Sequence, residues 1–200
     1  KQATQMKYDI GIAIAHYAIG DTYLNANMNN EAIEEYEIAM QKLHKVSDSE
    51  KLQEKVLIQL IPTLIRMGRM NKAKAYLDQM EQMNDYQHSR FIENIFQAYY
   101  YLHNNDMDKV RKYIQEAEEW YEYYPFYFHS SILKYIQAEY AKRIGDDELA
   151  IKLYNELTIN TSSANVYNRY LKMKNSLAQL YTKQSRPREA CAIFQDINIA

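Results

Sequence analysis

The side chains that could carry chemistry are scattered along this 200-residue sequence and form no catalytic or metal-binding motif. The five histidines, at positions 16, 44, 88, 103 and 129, include no pair with metal-ligand spacing. The single cysteine, Cys191, excludes an internal disulfide and a cysteine-based metal site. Because Cys191 follows Ala190 on a predicted helix, we expect an unreactive thiol packed in the core. HExxH, GxSxG, CxxC and a phosphate-binding glycine loop are absent, so the sequence predicts neither an enzyme nor a cofactor.

Charge and hydropathy narrow the classes of partner. Acidic residues cluster at Glu34–Glu37 and Glu116–Glu119, and their helical spacing favours a solvated outer face over a catalytic pair in a cleft. The net charge of −2 gives no sign of nucleic-acid or membrane binding by this segment. No apolar run approaches the ~20 residues that span a bilayer. The compartment is not encoded, and we favour the cytoplasm over the periplasm.

The elements that position these side chains are helices, since the chain holds only four glycines and three prolines. The stretch 15–40 predicts two helices joined by a tight turn. Small residues at Gly20 and Ala32 allow close approach of the two backbones, and Tyr23 and Tyr36 fill the space beside them. Asn27 stands where the first helix ends, at a position that favours the left-handed conformation.

This pattern recurs along the whole chain at intervals of 37 to 41 residues. A small residue opens the second helix of each unit: Ala32, Ala73, Val110, Ala150 and Ala190. The turn residue lies five positions earlier: Asn27, Gly68, Asn105, Gly145 and Ser185. A large apolar residue lies four positions later: Tyr36, Leu77, Ile114, Tyr154 and Phe194. Twelve positions before the small residue stand Gly20, Ile61, Ala98, Ala138 and Ala178.

The five units resemble the tetratricopeptide repeat (TPR) family in a long-period variant, since the family's usual period is about 34 residues. The resemblance implies an all-α, right-handed α-α superhelix of five helix pairs. We expect one array over residues 1–200, with units at 4–44, 48–83, 86–123, 126–158 and 163–199. The predicted helices are 4–26, 29–44, 48–67, 70–83, 86–103, 106–123, 126–144, 147–158, 163–184 and 187–199.

Local signals refine the helix ends. Ser47 and Glu50 have the spacing of a capping box. Pro187 fits the first turn of the last helix, and acidic residues at positions 106, 146 and 147 complement helix N-termini. Pro62 lies inside a helical pattern, where we expect a kink. Gln97 occupies a position that is normally apolar in this repeat.

The resemblance also implies a concave surface, lined by the exposed face of each first helix. A known subfamily grips a C-terminal carboxylate with Asn and Lys on this face, but residues of other types stand at the Asn positions here, so such a clamp is not expected. The candidate surface comprises Tyr17, Asp21, Asn25, Arg66, Tyr99, His103, Tyr135, Glu139, Lys142, Arg143, Asn175, Gln179 and Lys183.

We therefore expect a non-enzymatic scaffold for protein or peptide recognition, as the sensor or interaction region of a larger bacterial signalling or regulatory protein. One alternative is a receptor that closes around a small ligand or signalling peptide, and a helical enzyme is the less favoured alternative. The inner positions of the later units gather the basic residues Arg66, His103, Lys142, Arg143, Lys172 and Lys183. These cations predict an acidic, aromatic-containing ligand from a partner or from the same polypeptide. The competing interpretation is that these cations pair with Asp21 and Glu139.

Two further stretches of the sequence are candidate interaction surfaces. The aromatic block 120–128 is expected to pack the join between the third and fourth units, with an exposed binding platform as the alternative. The last helix carries Ile193, Phe194, Ile197 and Ile199. Since a solenoid needs a polar cap, we expect this end to be covered by downstream residues of a longer protein or by a second copy in a homodimer.

Overall fold

The computed structural model describes residues 2–83, 87–121, 127–157 and 164–199, which form ten helices and no strand. The fold is an all-α helical solenoid, and each helix begins and ends within two residues of its predicted bounds. The helices are α1 Gln2–Asn25, α2 Asn29–Leu43, α3 Glu50–Arg66, α4 Met70–Gln82, α5 Gln87–His103, α6 Met107–Tyr121, α7 Tyr127–Ile144, α8 Asp147–Glu156, α9 Ala164–Lys183 and α10 Pro187–Ile199.

Helices pack in the order expected of stacked hairpins. Each odd-numbered helix contacts the even-numbered helix that follows it, and each second helix contacts the first helix of the next unit. First helices also contact one another, α3 with α5 and α5 with α7. In addition α1 contacts α9, so the first and fifth units touch.

The turns within the five pairs share one geometry. The predicted turn residues all have positive φ, from 57° at Ser185 to 86° at Gly145. The next residue donates its N–H to a carbonyl five positions back, as in Met28 to Tyr23 at 2.9 Å. This Schellman arrangement satisfies carbonyls that a helix end leaves free. The turn positions read from the sequence are thereby confirmed.

The predicted small positions are buried where the paired helices touch. Ala32, Ala73, Val110 and Ala150 are 0% exposed, and Ala190 is 4% exposed. At Gly20 the approach is closer still, because an added Cβ would lie 2.6 Å from the Tyr36 ring. The repeat register is therefore confirmed at the positions that define it.

Helix ends follow the sequence signals with one exception. Pro187 begins α10, and the Asp146 side chain accepts a hydrogen bond from the Leu149 N–H at 3.1 Å. The capping box at Ser47 is wrong. Asp48 has a φ of 57°, which places the α3 cap at Ser49 instead.

The Ser49 hydroxyl does not cap a backbone N–H of α3: it donates to the carbonyls of Leu43 and Val46, each at 2.9 Å, and accepts from the Gln53 side-chain amide at 2.9 Å. This contact joins the end of the first unit to the start of the second. Farther along, α3 runs through Pro62 without a break.

The last helix, α10, leaves exposed a repeat position that is buried in the other second helices. Phe194 is 44% exposed, whereas Tyr36 and Tyr154 at the same repeat position are 0% and 1% exposed. Cys191 is also exposed, so the expectation of a packed thiol is wrong. The reason is that no further helix pair of the described chain packs on α10. The side chains of Ile197 and Ile199 lie outside the described residues.

The aromatic block lies largely outside the described residues, since the backbone of 122–126 is not among them. Trp120 precedes this gap at the end of α6 and packs half-buried against the core of the first four units. A second core spans α7 to α10, and Tyr135 packs against both.

Candidate functional site

None of the thirteen candidate residues is buried, as a concave binding surface requires. Six are exposed: Asn25, His103, Arg143, Asn175, Gln179 and Lys183. Seven are half-buried: Tyr17, Asp21, Arg66, Tyr99, Tyr135, Glu139 and Lys142. Their contacts divide them into side chains that hold the helices together and a basic group in the later units.

The two acidic candidates accept hydrogen bonds from buried tyrosines of the second helices. Tyr36 donates to Asp21 at 2.6 Å, and Tyr154 donates to Glu139 at 2.5 Å. Tyr17 adds a tilted ring contact, with its centroid 6.0 Å from that of Tyr36. Burial and the neighbouring carboxylates raise the pKa of Tyr36 and of Tyr154 far above the ordinary value. Asp21 and Glu139 therefore bind the first helix to the second in the first and in the fourth unit, respectively.

The sequence carried a signal for these pairs. Only the first and fourth units have tyrosine at the large apolar position, and only these have a carboxylate fifteen residues earlier. The other units have Leu77, Ile114 and Phe194 there, without an acidic partner at the earlier position.

Two basic candidates link neighbouring units. Lys183 contacts Asp147 in the first turn of α8 at 2.5 Å. In the equivalent place, Arg66 donates to Asn29 in the first turn of α2 at 3.4 Å and to Thr63 at 3.0 Å. These cations are engaged in the fold, Lys183 by Asp147 and Arg66 by Asn29 and Thr63. Arg66 and Lys183 occupy equivalent repeat positions in the sequence. Asn29 and Asp147 lie in the preceding unit, so these contacts depend on how successive units stack and could not be predicted from spacing alone.

The remaining basic side chains lie close together on α5, α7 and α9. They form what we call the basic cluster: His103, Lys142, Arg143 and Lys172. Arg143 donates to the Leu102 carbonyl in the last turn of α5. Lys142 donates to the Ser176 hydroxyl at 2.9 Å, which joins α7 to α9.

The pKa of His103 reflects the electrostatics of the basic cluster. Although the His103 side chain is exposed, the surrounding protein partly desolvates its imidazole, and this lowers the pKa of His103. The nearby Arg143 and Lys172 lower it further, while Glu139 acts in the opposite direction. The Tyr99 ring meets the imidazole edge-on, with centroids 4.8 Å apart. The cluster thus combines an excess of positive charge with an aromatic side chain on a surface open to solvent.

Lys172 and Ser176 complete the cluster from α9, although neither belonged to the thirteen candidates. Lys172 is exposed, and Ser176 is 9% exposed. The sequence signal was the charge of Lys172 on the same helix face as Asn175 and Gln179. Asn25 lies on α1 and is not part of this cluster, whose residues come from α5, α7 and α9.

No group of three or more His, Cys, Asp or Glu side chains in the described residues could hold a metal ion. Among the same residues, no helix is both long and apolar enough to cross a bilayer.

Comparison with known proteins shows similarity in fold only. No family profile and no curated protein matches the sequence. The crystal structure of BtubC (BKLC) from P. vanneervenii is similar, with a TM-score of 0.59 and 10% identity over 98% of this chain and 89% of BtubC. The similarity to BtubC concerns the fold, which in this chain is an all-α helical solenoid.

A second solved structure, a mutant form of MamA, is 16% identical over 93% of this chain and 95% of that chain, with a TM-score of 0.46. At 10% identity, the similarity to BtubC establishes the fold alone.

Proposed function

We propose that this chain is a non-enzymatic interaction scaffold whose basic cluster binds an acidic segment containing aromatic residues. The observation that carries the proposal is the convergence of four basic side chains from three first helices beside Tyr99. The segment comes from a partner protein or from the same polypeptide. The setting we propose is the sensor or interaction region of a larger bacterial signalling or regulatory protein, with residues 1–200 as one array.

The electrostatics favour an anionic ligand. His103 is held below its ordinary pKa partly by Arg143 and Lys172, so the cluster has more positive charge than its own carboxylate, Glu139, balances. A ligand carboxylate would relieve this repulsion. Tyr99 is half-buried and offers flat contact area at low entropic cost.

The ligand chemistry can be tested with three labelled peptides in fluorescence anisotropy. The first alternates Asp or Glu with Tyr or Phe, the second replaces its aromatic residues with Ala, and the third replaces its acidic residues with Lys. We expect the first to bind, the second to bind about tenfold more weakly, and the third not to bind. Binding should weaken with salt, since exposed charges are screened over ~8 Å at physiological ionic strength. Equal binding of all three peptides would contradict the proposal.

The location can be tested with charge reversal. Lys172→Glu, and separately Lys142→Glu with Arg143→Glu, should lower affinity for the first peptide by at least about tenfold. Lys152→Glu is the matched control, since Lys152 is exposed on α8, a second helix. Lys172→Glu is the cleaner variant because Lys142 and Arg143 also bind Ser176 and the Leu102 carbonyl. Undiminished binding by both variants would place the surface elsewhere.

A receptor that closes around its ligand is the second candidate, favoured by the contact between α1 and α9. This contact brings the two ends of the array together, so the inner surface is bounded by the first and fifth units. Spin labels at the exposed positions Asn25 and Gln179, with Cys191→Ser, would report the distance between α1 and α9. Shortening on peptide addition supports closure, whereas a constant distance supports an open scaffold.

The end of α10 supports a separate interaction. Phe194 is 44% exposed at a position that is buried in the four earlier units. We propose that following residues of a longer protein or a second copy of the chain cover this side chain. Sedimentation should show self-association that Phe194→Glu abolishes, unless a longer chain supplies the cover and shields Phe194 from solvent.

A further inference from the structure

One face of α1 is both uncharged and open to solvent. Its exposed residues between positions 11 and 22 are Gly11, Ile14, Ala15, Ala18, Ile19 and Thr22. The side chains of Ile14 and Ile19 are 50% and 42% exposed. A helix that is apolar on every side is normally buried within a larger structure. This face of α1 therefore has the character of a contact surface.

The equivalent face is covered in the later units. The positions equivalent to Ala15 are all buried: Val56, Glu93, Leu133 and Met173. Three of the four positions equivalent to Ile19 are 0–2% exposed: Leu60, Gln97 and Leu177. The fourth, Gln137, donates to Glu118 on the second helix of the preceding unit at 2.7 Å. The exposed face of α1 is thus the surface that a preceding second helix covers elsewhere in the array.

Helix α10 presents the other half of such a junction. Phe194 is exposed at a position that the four earlier second helices bury. Beside it Cys191, Ala192 and Gln195 are also exposed. Each earlier second helix packs against the first helix of the next unit, whereas α10 has no following first helix among the described residues. The two open faces are therefore the two sides of one repeating contact.

Hydrogen bonds between units give the register of this contact. Arg111, the residue after the small position of α6, donates to the Tyr140 hydroxyl on α7 at 2.8 Å. Asn155, five residues after the small position of α8, donates to the Tyr181 hydroxyl on α9 at 3.0 Å. In α10 the corresponding residues are Cys191 and Gln195, and in α1 the corresponding partners are Thr22 and Tyr23.

We propose that α10 of one copy of this chain packs against the exposed face of α1 of a second copy, head to tail. The transferred register brings Gln195 of one copy opposite Tyr23 of the other, so an amide again meets a tyrosine hydroxyl. Burial of Phe194 and Ile19 supplies the apolar driving force. This assignment rests on the proposed covering of Phe194 and is independent of the basic cluster.

The contact is heterologous, because it joins different surfaces of two copies. Copies joined in this way form a linear chain or a closed ring. By contrast, a contact of α10 with α10 would stop at a dimer and would leave α1 uninvolved. The two arrangements therefore respond differently to changes in α1.

Sedimentation velocity over a range of concentrations, with a reductant present to keep Cys191 as a thiol, tests the contact. We expect self-association of the unaltered chain, and its loss in Ile19→Glu and in Phe194→Glu. Ile144→Glu is the matched control, since Ile144 is 49% exposed at the end of α7. It should associate like the unaltered chain. A chain that stays monomeric at every concentration would overturn the proposal.

Mixing the two variants distinguishes the arrangements. Ile19→Glu keeps an intact α10 and Phe194→Glu keeps an intact α1, so the mixture should form a one-to-one complex although neither variant associates alone. Loss of association in Phe194→Glu, with none in Ile19→Glu, would show that α10 packs on α10. That result would overturn the assignment to α1 and leave the covering of Phe194 by a second copy standing.

Two further measurements separate this contact from other features of the chain. Tyr23→Phe removes only a hydroxyl and should weaken association by about two- to tenfold, as expected for one hydrogen bond. An unchanged affinity in Tyr23→Phe would overturn the transferred register. Binding of the acidic aromatic peptide should be unaltered in Ile19→Glu and Phe194→Glu, so failure of this contact can be told apart from failure of the basic cluster.

Discussion

Gly20→Ala tests the close approach of α1 and α2 that defines the first unit. An added Cβ would lie 2.6 Å from Cε1 and 2.8 Å from Cδ1 of Tyr36. The ring has little room to withdraw, because Tyr36 is 0% exposed and its hydroxyl is held by Asp21 at 2.6 Å. A methyl group at this position must therefore displace the ring, the helix or both.

Two effects of known size oppose each other in this variant. Alanine is favoured over glycine inside a helix by about 1 kcal/mol. Overpacking a buried site costs about 1–3 kcal/mol, and a hydrogen bond to a charged group contributes about 1.5–3 kcal/mol that ring displacement would weaken. We expect the steric effect to win, with a net loss of about 1–2 kcal/mol in the free energy of unfolding.

Urea unfolding followed by circular dichroism measures this change, and Gly11→Ala provides the control. Gly11 lies in the same helix with no atom within 4 Å of an added Cβ, so alanine there should stabilise by up to about 1 kcal/mol. In a Tyr36→Leu background, the cost of Gly20→Ala should disappear. If Gly20→Ala stabilises the protein as much as Gly11→Ala does, the close packing inferred for this unit is wrong.

Three further predictions concern the repeat core and the basic cluster. Ala150→Leu should lower the unfolding free energy in urea by about 1–3 kcal/mol, because Ala150 is 0% exposed between paired helices. Gln97→Leu should raise that free energy by about 1 kcal/mol, since Gln97 is 2% exposed and its Oε1 has no hydrogen-bond partner within the described part of the chain. Affinity for the acidic aromatic peptide, measured by anisotropy, should rise as the pH falls toward the lowered pKa of His103.

The sign of the pH effect follows from linkage. In the free protein, partial desolvation of the imidazole together with Arg143 and Lys172 holds the pKa of His103 below its ordinary value, and ligand carboxylates would raise it. Binding then takes up a proton and strengthens in acid, and His103→Asn should flatten the profile. Affinity that falls with decreasing pH would contradict this reasoning. A silent Ala150→Leu or a destabilising Gln97→Leu would contradict the register or the assigned burial.

Helix bounds and turns could be predicted from the sequence because their causes are local. Asn27, Gly68, Asn105 and Gly145 are residue types that tolerate positive φ, and a small residue five positions later marks where two backbones meet. Ser185 was recognised only by its register, since serine alone does not signal this conformation. The failed capping box shows the limit, because Asp48 shifted the helix start by its own left-handed conformation.

The candidate surface was only partly predictable, since exposed positions on a repeat face do not reveal their partners. Asp21 and Glu139 are engaged by tyrosines of the paired helix. Lys183 is engaged across units by Asp147, a contact that depends on stacking geometry.

The central claim is that the basic cluster is the binding surface for acidic segments. Titrating isotope-labelled protein with the acidic aromatic peptide, while following backbone amide signals by NMR, tests it most directly. We predict saturable shifts at Tyr99, His103, Arg143 and Lys172, which are absent with the lysine-substituted peptide. Shifts confined to residues outside the basic cluster, such as those of α10, with the amides of the basic cluster unmoved, would contradict it.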